Sequence, residues 1–353
     1  MEFGLSEEQI LLQDSVNRYL SDELPLDEVR KFTDGDESDA RVWQGLSELG
    51  IPGLLISEAQ GGVGLSYLDA AIVSESLGYH VTPAPFLSSA IIAPVALKVA
   101  GNQDEILSGI ADGSRRVGIA FGEAIGARAD ADVTVKNGKI SGKSLFVLDS
   151  GADDYLVADA KFNLYLVSAG EVERTNLPTV DRTRSTCQLV YDNADAALVS
   201  NDANVFIEAL DVGRAMQAAD TLGAAQCMLD QSVAYAMQRE QFNRIIASFQ
   251  AVKHMCADMA GALEPCRAMV WYAGHALDEL PDEKRLVASH TKAHLQEVGQ
   301  MVAKKSTEVH GGMGFTDLVG LHYWFKRIGA NRQLLGPPEM LREEAARIQG
   351  FAT

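Results

Sequence analysis

The sequence predicts a mostly α protein with a β-domain in its middle. Three observations carry this. Apolar residues recur at helical spacing up to about residue 113. Short β-like segments then follow from about Val117 to Ser200, separated by Asn-Gly and Ser-Gly signals. Beyond Asn204 helical spacing returns and persists. The expected domains are 1–113, 114–203 and 204–353.

Ser6-Glu7-Glu8-Gln9 has the Ser-x-x-Gln form of a capping box and opens the first helix, whose expected stripe is Ile10, Leu11, Val16 and Leu20. Gly61-Gly62-Val63-Gly64 is a turn before a helix through Ala70-Ala71-Ile72-Val73. The run from Thr82 through Pro83, Pro85 and Pro94 predicts a break. The expected strands include 131–135, 139–141, 144–148, 155–158, 162–167 and 188–191, with Lys136-Asn137-Gly138-Lys139 as a hairpin turn. Small residues at Gly213, Ala218, Ala219, Gly223, Ala224 and Ala225 predict close helix approach, within the chain or across a subunit contact. Pro281-Asp282 separates two later long helices, and Gly311-Gly312-Met313-Gly314 interrupts the next.

The 353 residues suffice for a substantial core, and 47% hydrophobic with 22% charged is ordinary globular composition. A formal charge of −19 argues against nucleic acid as a partner, because phosphate binding wants gathered Lys and Arg. Nothing approaches the roughly 18 uninterrupted apolar residues of a membrane span. Met1-Glu2-Phe3-Gly4 and the acidic residues after it lack the basic flank and apolar stretch of a signal peptide, so the expected location is cytoplasmic. Cys187, Cys227, Cys256 and Cys266 show no metal-ligand spacing, and the seven histidines form no cluster, so no metal site is expected.

Three segments resemble the acyl-CoA dehydrogenase family. Ser57-Glu58-Ala59-Gln60-Gly61-Gly62-Val63-Gly64 is similar to its acidic–Gly–Gly–x–Gly turn, though a plain turn reads the same way. Gln238-Arg239-Glu240-Gln241-Phe242, followed by Gln250, resembles its Arg-x-x-Phe…Gln signature. Glu308-Val309-His310-Gly311-Gly312-Met313-Gly314-Phe315 resembles its Gln-x-x-Gly-Gly-x-Gly-Phe turn, with Glu308 for the usual Gln and His310 as a packing or hydrogen-bonding residue. The resemblance implies an N-terminal helical domain, a middle β-barrel-like domain and a C-terminal four-helix bundle forming a tetramer core. It also implies FAD as cofactor, with Arg239 reaching the pyrophosphate of a neighbouring subunit's FAD. Phe242, Gln250, Glu308, Gly311 and Gly312 would lie along the same cofactor. Guanidinium pairs bidentately with phosphate oxygens, which suits Arg239.

The family oxidises an acyl-CoA to its trans-2-enoyl product, and a Glu removes the α-proton. Aligned on Gly336 and Arg342, Leu335 stands where most members carry that Glu. Other members carry it just before an Arg on the first bundle helix, where Leu210-Asp211-Val212-Gly213-Arg214 supplies Gly213. Asp211 and Glu339 are the nearby alternative acids. The family's flavin-contacting Thr-Glu-Pro…Gly-Ser-Asp run falls near Gly118–Gly126 and is absent. Phe146 stands for the usual flavin-facing Trp, or is core filler.

The resemblance therefore implies a subunit without its own base, working beside a homologous subunit that carries the catalytic Glu. It is similar to one half of the α2β2 acyl-CoA dehydrogenases of steroid side-chain degradation, which divide FAD and substrate contacts between two chains. The chain length and Asp181-Arg182-Thr183-Arg184 after Leu177-Pro178 fit that group. An acyl-CoA substrate and an electron-transfer flavoprotein or similar acceptor follow from the resemblance. The alternatives are a self-sufficient homotetramer with a relocated base and a non-enzymatic scaffold.

Overall fold

The computed structural model describes residues 4–35, 39–101, 103–126 and 131–352. Met1, Glu2 and Phe3 of the N-terminal stretch lie outside the described residues, as do the side chains of Glu123 and Ile125.

Helix α1 (Glu7–Glu23) starts on the expected capping box. Ser6 Oγ accepts from the Gln9 backbone N–H at 3.2 Å, and the Gln9 side chain accepts from the Ser6 N–H at 3.0 Å. Val16 and Leu20 are buried as expected. Ile10 and Leu11 are 46% and 64% exposed, so the inward stripe is narrower than predicted. Helices α2 (Leu26–Asp34), α3 (Ala40–Glu48), α4 (Tyr67–Tyr79), α5 (Ala93–Ala100) and α6 (Asp104–Ala111) follow. Pro83 and Pro85 lie in the break after α4, but Pro94 breaks nothing. A wide π-helical stretch, Phe86–Ile92, runs straight into α5, and Pro94 is the second residue of that helix. In the Gly-rich turn, a Cβ on Gly62 would lie 2.2 Å from the Ile56 carbonyl oxygen, so packing requires a glycine there.

The middle of the chain forms one mixed sheet. Its strands are β1 (Val117–Ala120), β2 (Val133–Lys136), β3 (Lys139–Leu148), β4 (Asp154–Ala158), β5 (Leu164–Ser168), β6 (Glu173–Asn176), β7 (Thr186–Asp195) and β8 (Ala197–Ser200). They hydrogen-bond in the order β6-β7-β3-β1-β4-β5-β8, with β2 on β3, and only the β1–β4 pair is parallel. Asn137 and Gly138 turn the β2–β3 hairpin at φ +52° and +74°, as their tolerance of positive φ predicts. The segments expected at 139–141 and 144–148 are one strand. Ser141-Gly142 marks a bulge in it rather than an end, and a second bulge lies between Ser144 and Val147. Phe146 sits in that second bulge at φ +52° and is 40% exposed, which rules it out as core filler.

From Ala203 the chain is helical again. Helix α7 (Ala203–Gln238) leads through a small hairpin, β9 (Glu240–Gln241) and β10 (Arg244–Ile245), to α8 (Gln250–Glu279), α9 (Lys284–His310), α10 (Leu321–Gln333) and α11 (Pro338–Ile348). Helix α7 is buried along most of its length, among α4, α8, α9 and α10. Its small residues serve contacts inside the chain. A Cβ on Gly223 would lie 1.8 Å from the Glu75 carbonyl oxygen, and one on Gly78 would lie 2.0 Å from that of Asp220. Helices α4 and α7 therefore cross backbone against backbone. No helix among the described residues is long and apolar enough to cross a membrane, and no cluster of metal-ligating residues occurs among them.

Candidate functional site

The two expected base positions meet. A Cβ built on Gly213 would lie 3.1 Å from Leu335 Cδ1 and 2.9 Å from Ile92 Cδ1. Leu335 follows α10 at φ +62° and is completely buried. A left-handed leucine costs about 1–2 kcal/mol, and it persists because its neighbours fix it. Arg214 Nε donates to the Leu335 carbonyl at 3.0 Å, and Lys292 Nζ donates to the Gly336 carbonyl at 2.8 Å. Burial, with Arg214 and Arg332 nearby, holds the Lys292 amine well below the usual lysine range.

Neither alternative acid faces this contact. Two residues along a helix turn through about 200°, so Asp211 projects opposite to Gly213. It lies 3.2 Å from Arg214 Nη1 and 3.9 Å from Arg285 Nε. Burial pushes its carboxyl up to about 7, against the pull of Arg214 and Arg285. Glu339 is 69% exposed and pairs with Arg332 at 2.8 Å.

The expected cofactor residues are all exposed and share one end of the bundle. Arg239 closes α7, its N–H donating to the Tyr235 carbonyl at 2.8 Å and its carbonyl accepting from Ile246 N–H at 2.8 Å. Phe242 stands 87% exposed at the tip of the β9–β10 hairpin, at φ +54°. Its ring meets Phe249 edge-on at 6.1 Å, and Arg244 lies 4.0 Å over Phe249. Gln250 is the first residue of α8, a helix with no side-chain cap. Glu308 lies in the last turn of α9 and Gly311 and Gly312 follow it, and a Cβ on either glycine would meet nothing within 4 Å. The two segments are joined behind the surface. Tyr235 stacks on His310 with ring centroids 4.6 Å apart, and Ser232 Oγ lies 2.6 Å from Ser306 Oγ. His310 is thus a packing residue, its Nδ1 2.8 Å from the Ser306 carbonyl. Among the described residues, no side-chain hydrogen bond or ion pair engages Arg239, Gln250 or Glu308.

A third cluster escaped the sequence reading. Asp220 on α7 is buried and accepts from Arg327 Nη2 at 2.8 Å, Arg184 Nη2 at 2.9 Å and Asn331 Nδ2 at 2.7 Å. Arg327 Nη1 also donates to the carbonyl of Thr82 at 3.0 Å and to Thr183 Oγ1 at 2.9 Å. Burial would raise the Asp220 carboxyl, but Arg327 and Arg184 hold it well below the usual carboxylate range. The Asp181-Arg182-Thr183-Arg184 run was visible in sequence only as a motif. Its partners stand as far off as Arg327, 144 positions from Thr183. The stretch near Gly118–Gly126 forms β1 and a short turn; Phe121 there is buried against Phe206 at 4.8 Å.

Comparison with known proteins gives a consistent picture. A family model described as acyl-CoA dehydrogenase, N-terminal domain, matches residues 6–113, and one described as acyl-CoA dehydrogenase, C-terminal domain, matches residues 203–349. The acyl-CoA dehydrogenase IpdE2 of Mycobacterium tuberculosis is 32% identical over 308 residues, 86% of this chain and 85% of its own length. IpdE2 of Mycolicibacterium smegmatis is 29% identical over 347 residues, 98% of this chain and 99% of its own. A solved variant of the Tcur3481-Tcur3483 steroid ACAD matches at TM-score 0.87 and 26% identity, over 98% of each chain.

Proposed function

For a chain that belongs to the acyl-CoA dehydrogenase family, we propose the role of the base-less half of a two-chain enzyme. It lends FAD contacts to a homologous subunit that carries the catalytic Glu. The observation that carries this reading is the closed contact of Gly213, Leu335 and Ile92. A thioester α-proton needs a carboxylate within hydrogen-bond reach. Both positions for one are apolar, and they fill each other's space. A relocated base would have to be Asp211 or Glu339, and the first faces away while the second sits in a surface ion pair.

The arm fits a flavin dinucleotide on its own terms. An arginine without a counter-ion and an uncapped helix N-terminus attract an anion such as a pyrophosphate. Phe242 offers a ring face, and Gly311 and Gly312 let the backbone approach. Glu308, unfavourable near phosphate, suits a ribose hydroxyl or the adenine edge. Bound FAD supplies the hydride acceptor of the reaction. Arg239 stands about 39 Å along α7 from Gly213, taking 1.5 Å per residue, so the arm and the base position of one chain serve different reaction centres.

An acyl-CoA is the proposed substrate of the complex, and likeness to a steroid ACAD supports a steroid side-chain CoA ester. An electron-transfer flavoprotein or similar acceptor would take the electrons, in the cytoplasm. The test is to purify the chain alone and together with a Glu-bearing homologue, then measure bound flavin and acyl-CoA-dependent dye reduction. The lone chain is expected to be colourless and inactive, and the complex yellow and active. A yellow, active assembly of this chain alone would overturn the proposal.

A further inference from the structure

One helical turn beyond Gly213 on the same face of α7 lies Gln217, 1% exposed, with neither its amide nitrogen nor its amide oxygen hydrogen-bonded among the described residues. Thr82 is equally buried, and its hydroxyl is likewise unpartnered. Both line one cavity of about 20 Å³, together with Leu77, Met216, Asp220 and Arg327. The backbone of Thr82 is fixed, its N–H donating to the Leu77 carbonyl at 2.9 Å and its carbonyl accepting from Arg327 at 3.0 Å. The charged wall is saturated, because Arg327, Arg184 and Asn331 already occupy Asp220. Gln217 and Thr82 therefore hold unmet hydrogen-bonding capacity in this cavity, whose lining also includes the Ser74 hydroxyl.

We infer that this cavity is a built site for a single water molecule, held by the Gln217 amide and the Thr82 hydroxyl. A water needs roughly 10–15 Å³ and two to four polar partners, and the cavity supplies both. A dry cavity would leave three buried polar atoms unsatisfied, which folded proteins avoid. The water sits where three parts of the chain meet: Thr82 from the N-terminal helices, Arg184 from the region of the sheet, and Gln217 from the bundle.

A high-resolution crystal structure of the purified chain tests the site. One ordered solvent peak within hydrogen-bond reach of Gln217 and Thr82 is expected. An empty cavity, or a Gln217 amide turned onto a protein group, would overturn the inference. Gln217→Met, which keeps length and removes both polar atoms, gives an independent reading. Its Tm is expected to fall, because the water loses its main partner. An unchanged or higher Tm would mean that the amide was dry.

Discussion

Helix α7 carries two regions of opposite character. Near its start, Gly213 and Arg214 are buried, packed against Ile92 and Leu335 and tied to α11 and the turn before it. At its end, Arg239 and the hairpin that follows it display a cation and a phenyl ring to solvent, and Phe242 does so in a strained backbone conformation. A folded chain avoids leaving such groups open unless something else covers them. The buried region shows what this chain needs in order to stand; the exposed region shows what it offers to another.

That contrast can be broken experimentally. Substitutions in the buried region should act on stability, and those in the arm on flavin. The largest effect is expected for Asp220→Asn, which leaves Arg184 and Arg327 buried beside a neutral amide. Its urea-unfolding free energy should fall by about 3–5 kcal/mol, and an unchanged midpoint would deny the cluster its structural role.

Asp211 comes next. In the unfolded chain its carboxyl ionises near 3.8, whereas burial keeps it protonated up to about 7 in the fold. Between those pH values the unfolded chain releases a proton that the folded one retains. Stability should therefore fall as pH rises from about 4 to 7, by up to about 4 kcal/mol, and then level off. Asp211→Asn should remove that dependence in pH-resolved denaturation. A variant with the wild-type slope would assign the slope elsewhere.

Leu335→Glu sharpens the comparison by restoring a carboxylate. Placed against Ile92, it should cost about 1–3 kcal/mol and give no dehydrogenation by the lone chain in a dye-reduction assay. Acquired activity would show a complete site waiting only for its base. Smallest in stability is Arg239→Ala, expected to move unfolding by no more than about 0.5 kcal/mol. It should weaken flavin binding by the two-chain complex about tenfold to a hundredfold, read by flavin fluorescence. Equal flavin affinity would remove Arg239 from the cofactor.

Much of this was legible beforehand because it depends on local chemistry. The Ser6–Gln9 capping box, the Asn137-Gly138 hairpin and the small-residue face of α7 each follow from neighbours in sequence. Pro94 misled because proline is tolerated in a first helical turn, and Ser141-Gly142 because a bulge and a strand end share the same residues. The convergence of Gly213 on Leu335 was hidden, since aligning each position separately says nothing of their contact. The Asp220 cluster and the Thr82–Gln217 cavity were hidden for a related reason: charged and polar residues inside a core gain meaning from partners distant in sequence, here from 36 to more than two hundred positions away.

Asp220 has one further consequence. Through two arginines and an asparagine, a single carboxylate ties α7 and α10 to the loop before β7, and Arg327 extends the tie to the segment after α4. If any one of these pieces pulled away, it would strand charge in the interior of the others. The three architectural parts therefore share one melting event, and calorimetry of the pure chain should give one peak where three independent modules would give several.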